Sequence, residues 1–371
     1  MIPLLDLARE HAALRPRLLR ALARVLDSGA FINGPEVAAF EAEFAKAHRA
    51  RHCAGLSNGT DAIELALKAC GVGPGDEVVV PAFTFIATGS AVCAVGAKPV
   101  FADVEEDSLC LDPKTLGRAL SRLTKAVVPV HLYGHPADMD ALMRVARKAG
   151  LKVVEDCAQA HLARYRGRFV GTLGHAGTFS FYPTKNLGAL GDAGAILTGD
   201  KTLHAACLSL RDAGRAPGKR YLHDAPGRNA RLDEMQAALL RVKLSGLAKA
   251  NTARAEAAAA YRGGLEGLPL RLPPHDRAGS RQVYHVFTVR TPDRDALAAH
   301  LQGAGIGTGV YYPVPLHLQP AFASWGHGPG DFPVSERAGR EVLALPMFPG
   351  LGARGARRVC REIRRFFGRR R

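Results

Sequence analysis

Five short apolar runs, separated by stretches with helical spacing, occupy the first half of this sequence. They are Cys53-Ala54-Gly55-Leu56, Val78-Val79-Val80, Val100-Phe101-Ala102, Ala126-Val127-Val128-Pro129-Val130 and Leu151-Lys152-Val153-Val154. Runs with little polar alternation belong to strands buried on both faces, and the intervening helices supply the cover. The pattern predicts an α/β fold built on a mostly parallel sheet. Ligands of such sheets bind beyond the carboxyl ends of the strands. Thr60, just after the first run, and Asp156, at the end of the fifth, fall at such ends.

At 371 residues the chain exceeds one ordinary core, and two domains are expected. A helix-forming stretch rich in Ala and Arg at 246–262, followed by a Pro/Gly-rich segment at 267–280, marks the passage between them. The expected domains are 1–245 and 246–371, with the N-terminal helix able to pack on the second. In the second, Val283–Val289 and Thr308–Tyr312 read as strands, with a helix at 293–303 and a last helix near 335–344. At the start, Leu14, Leu18, Leu22, Val25 and Leu26 predict a helix over 14–27. Pro16 then falls in its first turn and Ser28-Gly29 stops it. A second helix opens at Gly34-Pro35 and runs through Val37, Phe40, Phe44 and Ala45.

Composition narrows the function classes. No apolar run reaches the roughly 18 residues that span a bilayer, and the first residues lack a basic region before an apolar one, so a cytoplasmic protein without a membrane partner is expected. The seven cysteines are widely spaced and never form CxxC, which suggests neither a disulfide framework nor a metal site. The net charge of +16 raises nucleic acid as a partner. The arginines are spread along the chain, however, and accompany no nucleic-acid-binding motif, so none is expected. Arg364-Arg365-Phe366-Phe367-Gly368-Arg369-Arg370-Arg371 is the one dense basic cluster, and it reads as a solvated C-terminus.

Three local features carry chemistry. Thr178–Tyr182 reads as a strand that delivers Lys185 into a loop punctuated by Gly188, Gly191 and Gly194. A lysine held at a strand end in a pocket that lowers its pKa can form a Schiff base, whereas on the surface it is merely solvated. Ser57-Asn58-Gly59-Thr60-Asp61 precedes a helix, and its free N–H groups suit either a phosphate or plain capping by Ser57 or Asn58. Asp156, followed closely by Gln159 and His161, could cap the next helix or pair with a protonated heterocycle.

Taken in order, these segments resemble a known family. Gly59-Thr60-Asp61-Ala62, Thr84-Phe85-Ile86-Ala87-Thr88, Glu155–His161, Ser180-Phe181 with Lys185, Gly191-Asp192, Asn229 with Arg231, and Gln236-Ala237-Ala238 are similar to the DegT/DnrJ/EryC1/StrS sugar aminotransferases over nearly the whole chain. The resemblance implies pyridoxal 5'-phosphate as cofactor. The fold it implies is the aspartate aminotransferase type (fold type I): a large domain around a mostly parallel seven-stranded sheet and a small C-terminal α/β domain.

It further implies roles for particular residues. Lys185 would bind the cofactor as a Schiff base and serve as general acid/base, while Asp156 would hold the ring nitrogen protonated. Gln159 would bond the ring 3' oxygen. Gly59, Thr60 and Ser180 would hold the phosphate, and Phe85 would stack on the ring. Asn229 would reach the phosphate of a neighbouring subunit, which implies a homodimer with shared active sites. Tyr312 and His317 would border the sugar, with a purely structural role open for both. Ala193, Ala213 and Tyr311 depart from the usual pattern.

Retention of Lys185 favours transamination over the dehydratases of the family, which carry histidine there. The run Phe181-Tyr182-Pro183-Thr184-Lys185-Asn186-Leu187-Gly188 is most similar to members acting on nucleotide-linked 3-keto-6-deoxyhexoses with L-glutamate as donor. A 4-keto sugar nucleotide or a cyclitol ketone is the alternative acceptor. A regulator that binds cofactor or nucleic acid without catalysis is the reading from a different class.

Overall fold

A computed structural model describes residues 1–368. Two helices, α1 (Leu7–Ser28) and α2 (Pro35–His48), precede the first strand, β1 (His52–Leu56). Helix and strand then alternate through α3 (Gly59–Ala69), β2 (Glu77–Pro81), α4 (Ile86–Ala94), β3 (Lys98–Ala102), α5 (Pro113–Arg118), β4 (Thr124–Val127), α6 (Met139–Lys148) and β5 (Lys152–Asp156). A short hairpin of β6 (Arg164–Tyr165) and β7 (Arg168–Phe169) leads into β8 (Ala176–Ser180), β9 (Gly194–Thr198), α7 (Lys201–Arg211) and α8 (Glu234–Leu244).

Seven of these strands form one sheet in the order β1-β9-β8-β5-β4-β2-β3. Only β9 runs against its neighbours, so the sheet is mostly parallel. Its strands are buried on both faces, with Val78, Val79 and Val80 wholly inaccessible to water. One face is covered by Phe40 and Phe44 of α2, whose rings meet Phe179 and Phe181 edge-on at 5.1–5.3 Å. On the other face α3 contributes Ala62, Leu65 and Ala66, and α4 contributes Val92. Each such large apolar side chain stabilises the fold by about 1.5–3 kcal/mol.

A separate core gathers around α9 (Leu247–Leu265), β10 (Phe287–Arg290), α10 (Arg294–Gly303), β11 (Val342–Leu345) and α12 (Gly352–Gly368), while α11 (Pro333–Glu341) gives Ala338 to the main core. Here β10 and β11 pair antiparallel, and Tyr261, Phe287, Leu301 and Ile363 pack between the helices and the strand pair.

Four expectations from sequence need correction. The first helix begins at Leu7, with Asp6 accepting the Arg9 N–H at 3.0 Å. Pro16 therefore lies inside it, on an exposed side, and has no N–H to give the carbonyl of exposed Ala12. Thr308–Tyr312 is not a strand. Gly309 makes a single bridge to Ala344, and beside it Ile306 pairs with the chain's own Ile2. The last predicted helix stops at Glu341 and becomes β11, because the apolar run that follows pairs with β10. Finally, α12 places Val359, Cys360, Ile363, Phe366 and Phe367 in the core and leaves its arginines outward, so the described part of the basic tail is an amphipathic helix. Residues 369–371 of that tail lie outside the described residues. No described helix is long and apolar enough to cross a membrane.

The end of β5 is fixed by a buried carboxylate. Glu155 is inaccessible to water, and its Oε1 accepts the N–H groups of Leu173 and Gly174, both at 2.7 Å. Its Oε2 accepts from Gly171 at 2.8 Å and from His131 Nε2 at 3.0 Å. The His131 Nδ1 accepts the Ala137 N–H, which leaves Nε2 to donate. Glu155→Ala would strand four buried donors, and a loss of about 3–5 kcal/mol in urea unfolding is expected. A loss under about 1 kcal/mol would show that water replaces the carboxylate.

Candidate active site

The carboxyl ends of β1, β2, β5 and β8 open onto one cavity of about 300 Å³. Eight of the residues singled out from sequence line it: Gly59, Thr60, Phe85, Asp156, Gln159, Ser180, Lys185 and Tyr312. Asn229 does not. It is exposed, in the loop before α8, and its backbone bridges Asp212. His317 is also absent from the cavity, contrary to expectation. The Leu316 N–H bonds the Ala82 carbonyl at 2.8 Å and turns this segment onto the sheet, where His317 is buried against Phe332 and meets Glu336 at 3.2 Å. Burial lowers its pKa, as befits a structural imidazole.

Asn58 caps α3 by accepting the Asp61 N–H at 2.8 Å. The Gly59 and Thr60 N–H groups in the first turn have no acceptor within the helix, so they face the cavity as an anion cradle. Glycine is required at 59, where a Cβ would lie 2.6 Å from that of Ser180. The phosphate and capping readings are thus compatible, because different groups serve each.

The lysine loop is equally close-set. The Phe181 N–H bonds Ala193 O and its carbonyl accepts from the Ala189 N–H, both at 2.7 Å, so the chain leaves and re-enters the sheet at one point. A Cβ on Gly188 would lie 2.3 Å from the Pro183 carbonyl oxygen. Lys185 projects from this loop into the cavity. Burial lowers its ammonium to about 8, against the opposing pull of Asp156.

Asp156 accepts from the Thr88 hydroxyl at 2.9 Å and from the Ala158 N–H at 3.1 Å. Burial raises its pKa despite these donors, and no side-chain cation among the described residues lies within ion-pair distance. It is a buried carboxylate facing the cavity with capacity for a positive partner. Gln159 is held by the Tyr133 N–H at 2.6 Å and donates to the Tyr312 hydroxyl at 3.1 Å. Phe85 is half exposed, with its ring 5.6 Å from that of Tyr312, so it is a wall of the site and not a core residue.

Sequence reasoning gave no role to several residues of this site. Thr88 lies one turn after Thr84 on α4 and was legible as part of a motif, though not as the donor to Asp156. His285 lines the cavity with its Nδ1 3.3 Å from Asn186 Oδ1, and burial keeps its pKa well below the ordinary value. Leu4, Leu5 and Met347 also line it; the first two stand in an opening segment similar to the family's but had no site role from sequence. Tyr311, a departure from the family pattern, lines the cavity too.

Free N–H groups at a helix start, a buried lysine, a buried carboxylate and an exposed aromatic face fit pyridoxal phosphate, and the sheet is that of a fold type I aminotransferase. The chain belongs to the DegT/DnrJ/EryC1/StrS aminotransferase family, whose description matches residues 13–364. It is 48% identical over 363 residues to a dTDP-3-amino-3,4,6-trideoxy-alpha-D-glucose transaminase of Streptomyces venezuelae, covering 98% of this chain and 95% of that one. It is 45% identical over 364 residues to a UDP-N-acetyl-3-dehydro-alpha-D-glucosamine 3-aminotransferase of Acidithiobacillus ferrooxidans, covering 98% and 97%. Among solved structures, S. venezuelae DesV in complex with a ketimine intermediate superposes with a TM-score of 0.95 at 48% identity, over 98% of both chains.

The lysine is open to direct titration. In the cofactor-free protein, the pH dependence of Lys185 acylation, followed by mass spectrometry, should show a midpoint near 8. Asp156→Asn removes the attraction that raises this value, so the midpoint should fall. A midpoint at the ordinary lysine value would refute the burial argument. The sign for stability follows. The unfolded chain holds this proton more tightly, so stability rises as pH climbs from about 8 towards 10.5. Lys185→Met should remove that rise.

Proposed function

We propose that the chain transfers the amino group of L-glutamate to C3 of a nucleotide-linked 3-keto-6-deoxyhexose, giving a 3-amino sugar. The observation that carries this reading is the convergence of Lys185, Asp156 and the α3 N-terminus on one cavity, in a chain whose relatives act at position 3 of nucleotide sugars. Pyridoxal phosphate, when bound, supplies an electron sink joined to the substrate nitrogen. Lys185 holds the cofactor and then takes and returns the proton at the substrate carbon. With its pKa near 8, about a tenth is free amine at pH 7. Asp156 faces the ring nitrogen and keeps it protonated. Gly59, Thr60 and Ser180 bind the phosphate, Gln159 bonds the 3' oxygen, Phe85 stacks on the ring, and Tyr312 borders the sugar.

The reading includes a homodimer. Asn229 lies outside its own chain's cavity and is exposed, so a second copy is what it can serve. Phe31, Ile32, Leu190 and Met235 are exposed and adjoin one another: Ile32 bridges Asp233, the Phe31 carbonyl accepts from Glu234, and the Leu190 N–H bonds Gln236. Such a strip suits an interface. We place the division between domains near residue 245 and the protein in the cytoplasm, where its seven free thiols, six of them buried, would persist.

Glutamate should convert the absorbance of the bound cofactor to that of its amine form, which excludes a regulator without catalysis. Turnover should follow with 3-keto and not 4-keto sugar nucleotides or cyclitol ketones, and product only from a 4-keto substrate would overturn the regiochemistry. Lys185→Ala should abolish both borohydride fixation of the cofactor and turnover, by at least about a thousandfold. Asn229→Ala should weaken cofactor binding by roughly tenfold in equilibrium dialysis while sedimentation still shows a dimer. Undiminished cofactor binding would remove Asn229 from the site.

A further inference from the structure

The lining of the cavity is of two kinds. One part carries the polar groups assigned to the cofactor: the α3 N–H groups, Asp156, Gln159, Ser180 and Lys185. Another part, termed the roof, comprises Leu4, Leu5, Val286, Leu345 and Met347, neighbours through the strap and the β10–β11 pair, none of which offers a strong side-chain donor or acceptor. We propose that this roof, and above all Leu4 and Leu5 of the N-terminal strap, determines substrate specificity by recognising the deoxygenated edge of the sugar. The proposal rests on the reading of a nucleotide-linked 3-keto sugar as acceptor.

The strap is held as part of the wall. The Ile2 N–H bonds Gly305 O and the Gly307 N–H bonds Ile2 O, both at 2.8 Å, and the Met347 N–H bonds Leu4 O at 3.1 Å. Leu4 presses on backbone: a Cβ on Gly307 would lie 2.8 Å from Leu4 N, and one on Gly309 would lie 2.9 Å from Leu4 Cδ2. Arg254, only 2% exposed, donates from Nη1 to the Met347 carbonyl at 2.8 Å. Met347 is thus bonded on one side to the strap and on the other to a buried guanidinium. The roof is a fixed surface.

Its position gives it a part in recognition. Val286 follows His285, whose ring meets Asn186 next to Lys185, and the roof and Lys185 line one cavity of about 300 Å³, so a sugar admitted to Lys185 meets the roof as well. A hydroxyl or carboxylate pressed there would lose water and find no partner, whereas a methyl group would lose nothing. The roof therefore favours a 6-deoxy sugar over its 6-hydroxy or 6-carboxylate counterparts.

The test is equilibrium titration of the cofactor-loaded full chain with two products, a 3-amino-3,6-dideoxyglucose and the 3-amino-3-deoxyglucose that retains its 6-hydroxyl. Each is linked to thymidine or uridine diphosphate, and binding is read by calorimetry. The 6-deoxy product should bind roughly tenfold to a hundredfold more tightly. Leu4→Ser, and independently Leu5→Ser, should bring that ratio to within about threefold, with thermal melting confirming a folded chain. Equal binding of the two sugars by the unaltered protein would overturn the roof as a specificity element and leave the aminotransferase reading standing. A ratio that survives both serine variants would overturn the part given to the strap. Failure to bind any of the four would overturn the sugar-nucleotide reading and this inference together.

Discussion

Asp156 sits where burial opposes its charge, and the site depends on that charge being kept. Two donors oppose the penalty: the hydroxyl of Thr88, from the first turn of α4, and the N–H of Ala158, from the turn beyond β5. They do not fully offset it, since burial still raises the carboxyl's pKa. In the proposed function a protonated ring nitrogen of the cofactor would supply the rest. Its neighbour in sequence shows the contrast. Strand geometry sends Glu155 to the opposite face, where four donors satisfy it completely. One strand end thus carries two buried carboxylates, one saturated and serving the fold, the other under-supplied and serving the reaction.

The lysine completes this arrangement through the same sheet. It arrives on the loop between β8 and β9, where the chain passes from the parallel strands into the antiparallel one. Reversal lets a short loop turn back over the sheet edge and set an amine above Asp156. That loop and the phosphate turn are not independent. Gly59 packs on Ser180, and a Cβ on Gly194 would lie 2.3 Å from the Asn58 carbonyl oxygen. The groups assigned to the phosphate and to the reactive carbon of the cofactor are therefore referenced to one another through backbone contact, which holds their spacing without help from flexible side chains.

The sheet, the α3 start, Asp156 and Lys185 were legible from local signatures (an unbroken apolar run, a cap, a strand-end acid, a loop lysine), whereas Phe85, Gln159, Ser180 and Tyr312 were legible only through the family resemblance. What sequence missed depends on contacts between distant segments. Thr308–Tyr312 has the composition of a strand, yet its edge meets Ile2 and Leu4 from the start of the chain, and no local pattern encodes that meeting. His317 stands in a motif but is drawn onto the sheet by the bond from the Leu316 N–H to Ala82. The arginines of α12 are interleaved with its apolar residues, and only the helical spacing reveals the buried face of Val359, Ile363 and Phe367. Leu4 and Leu5 belong to an opening segment similar to the family's, yet only the fold shows that they line the same cavity as Lys185.

These distant contacts share one support. Glu234, at the start of α8, accepts the N–H groups of Gly34, Glu36 and Val37 and so fastens the beginning of α2. Two residues on, Gln236 accepts the Leu190 N–H and packs on Gly191, which fastens the lysine loop. Ala238 of the same helix receives Ala21 and Val25 of α1, the helix that carries the strap at its amino end. The lysine loop is therefore referenced to α8 through a side-chain hydrogen bond, and the helix that follows the strap is referenced to it through packing. The strap itself is bonded to Gly305, Gly307 and Met347 of the second core. A change on α8 would for that reason reach the lysine loop directly, whereas the roof answers to the second core that holds the strap.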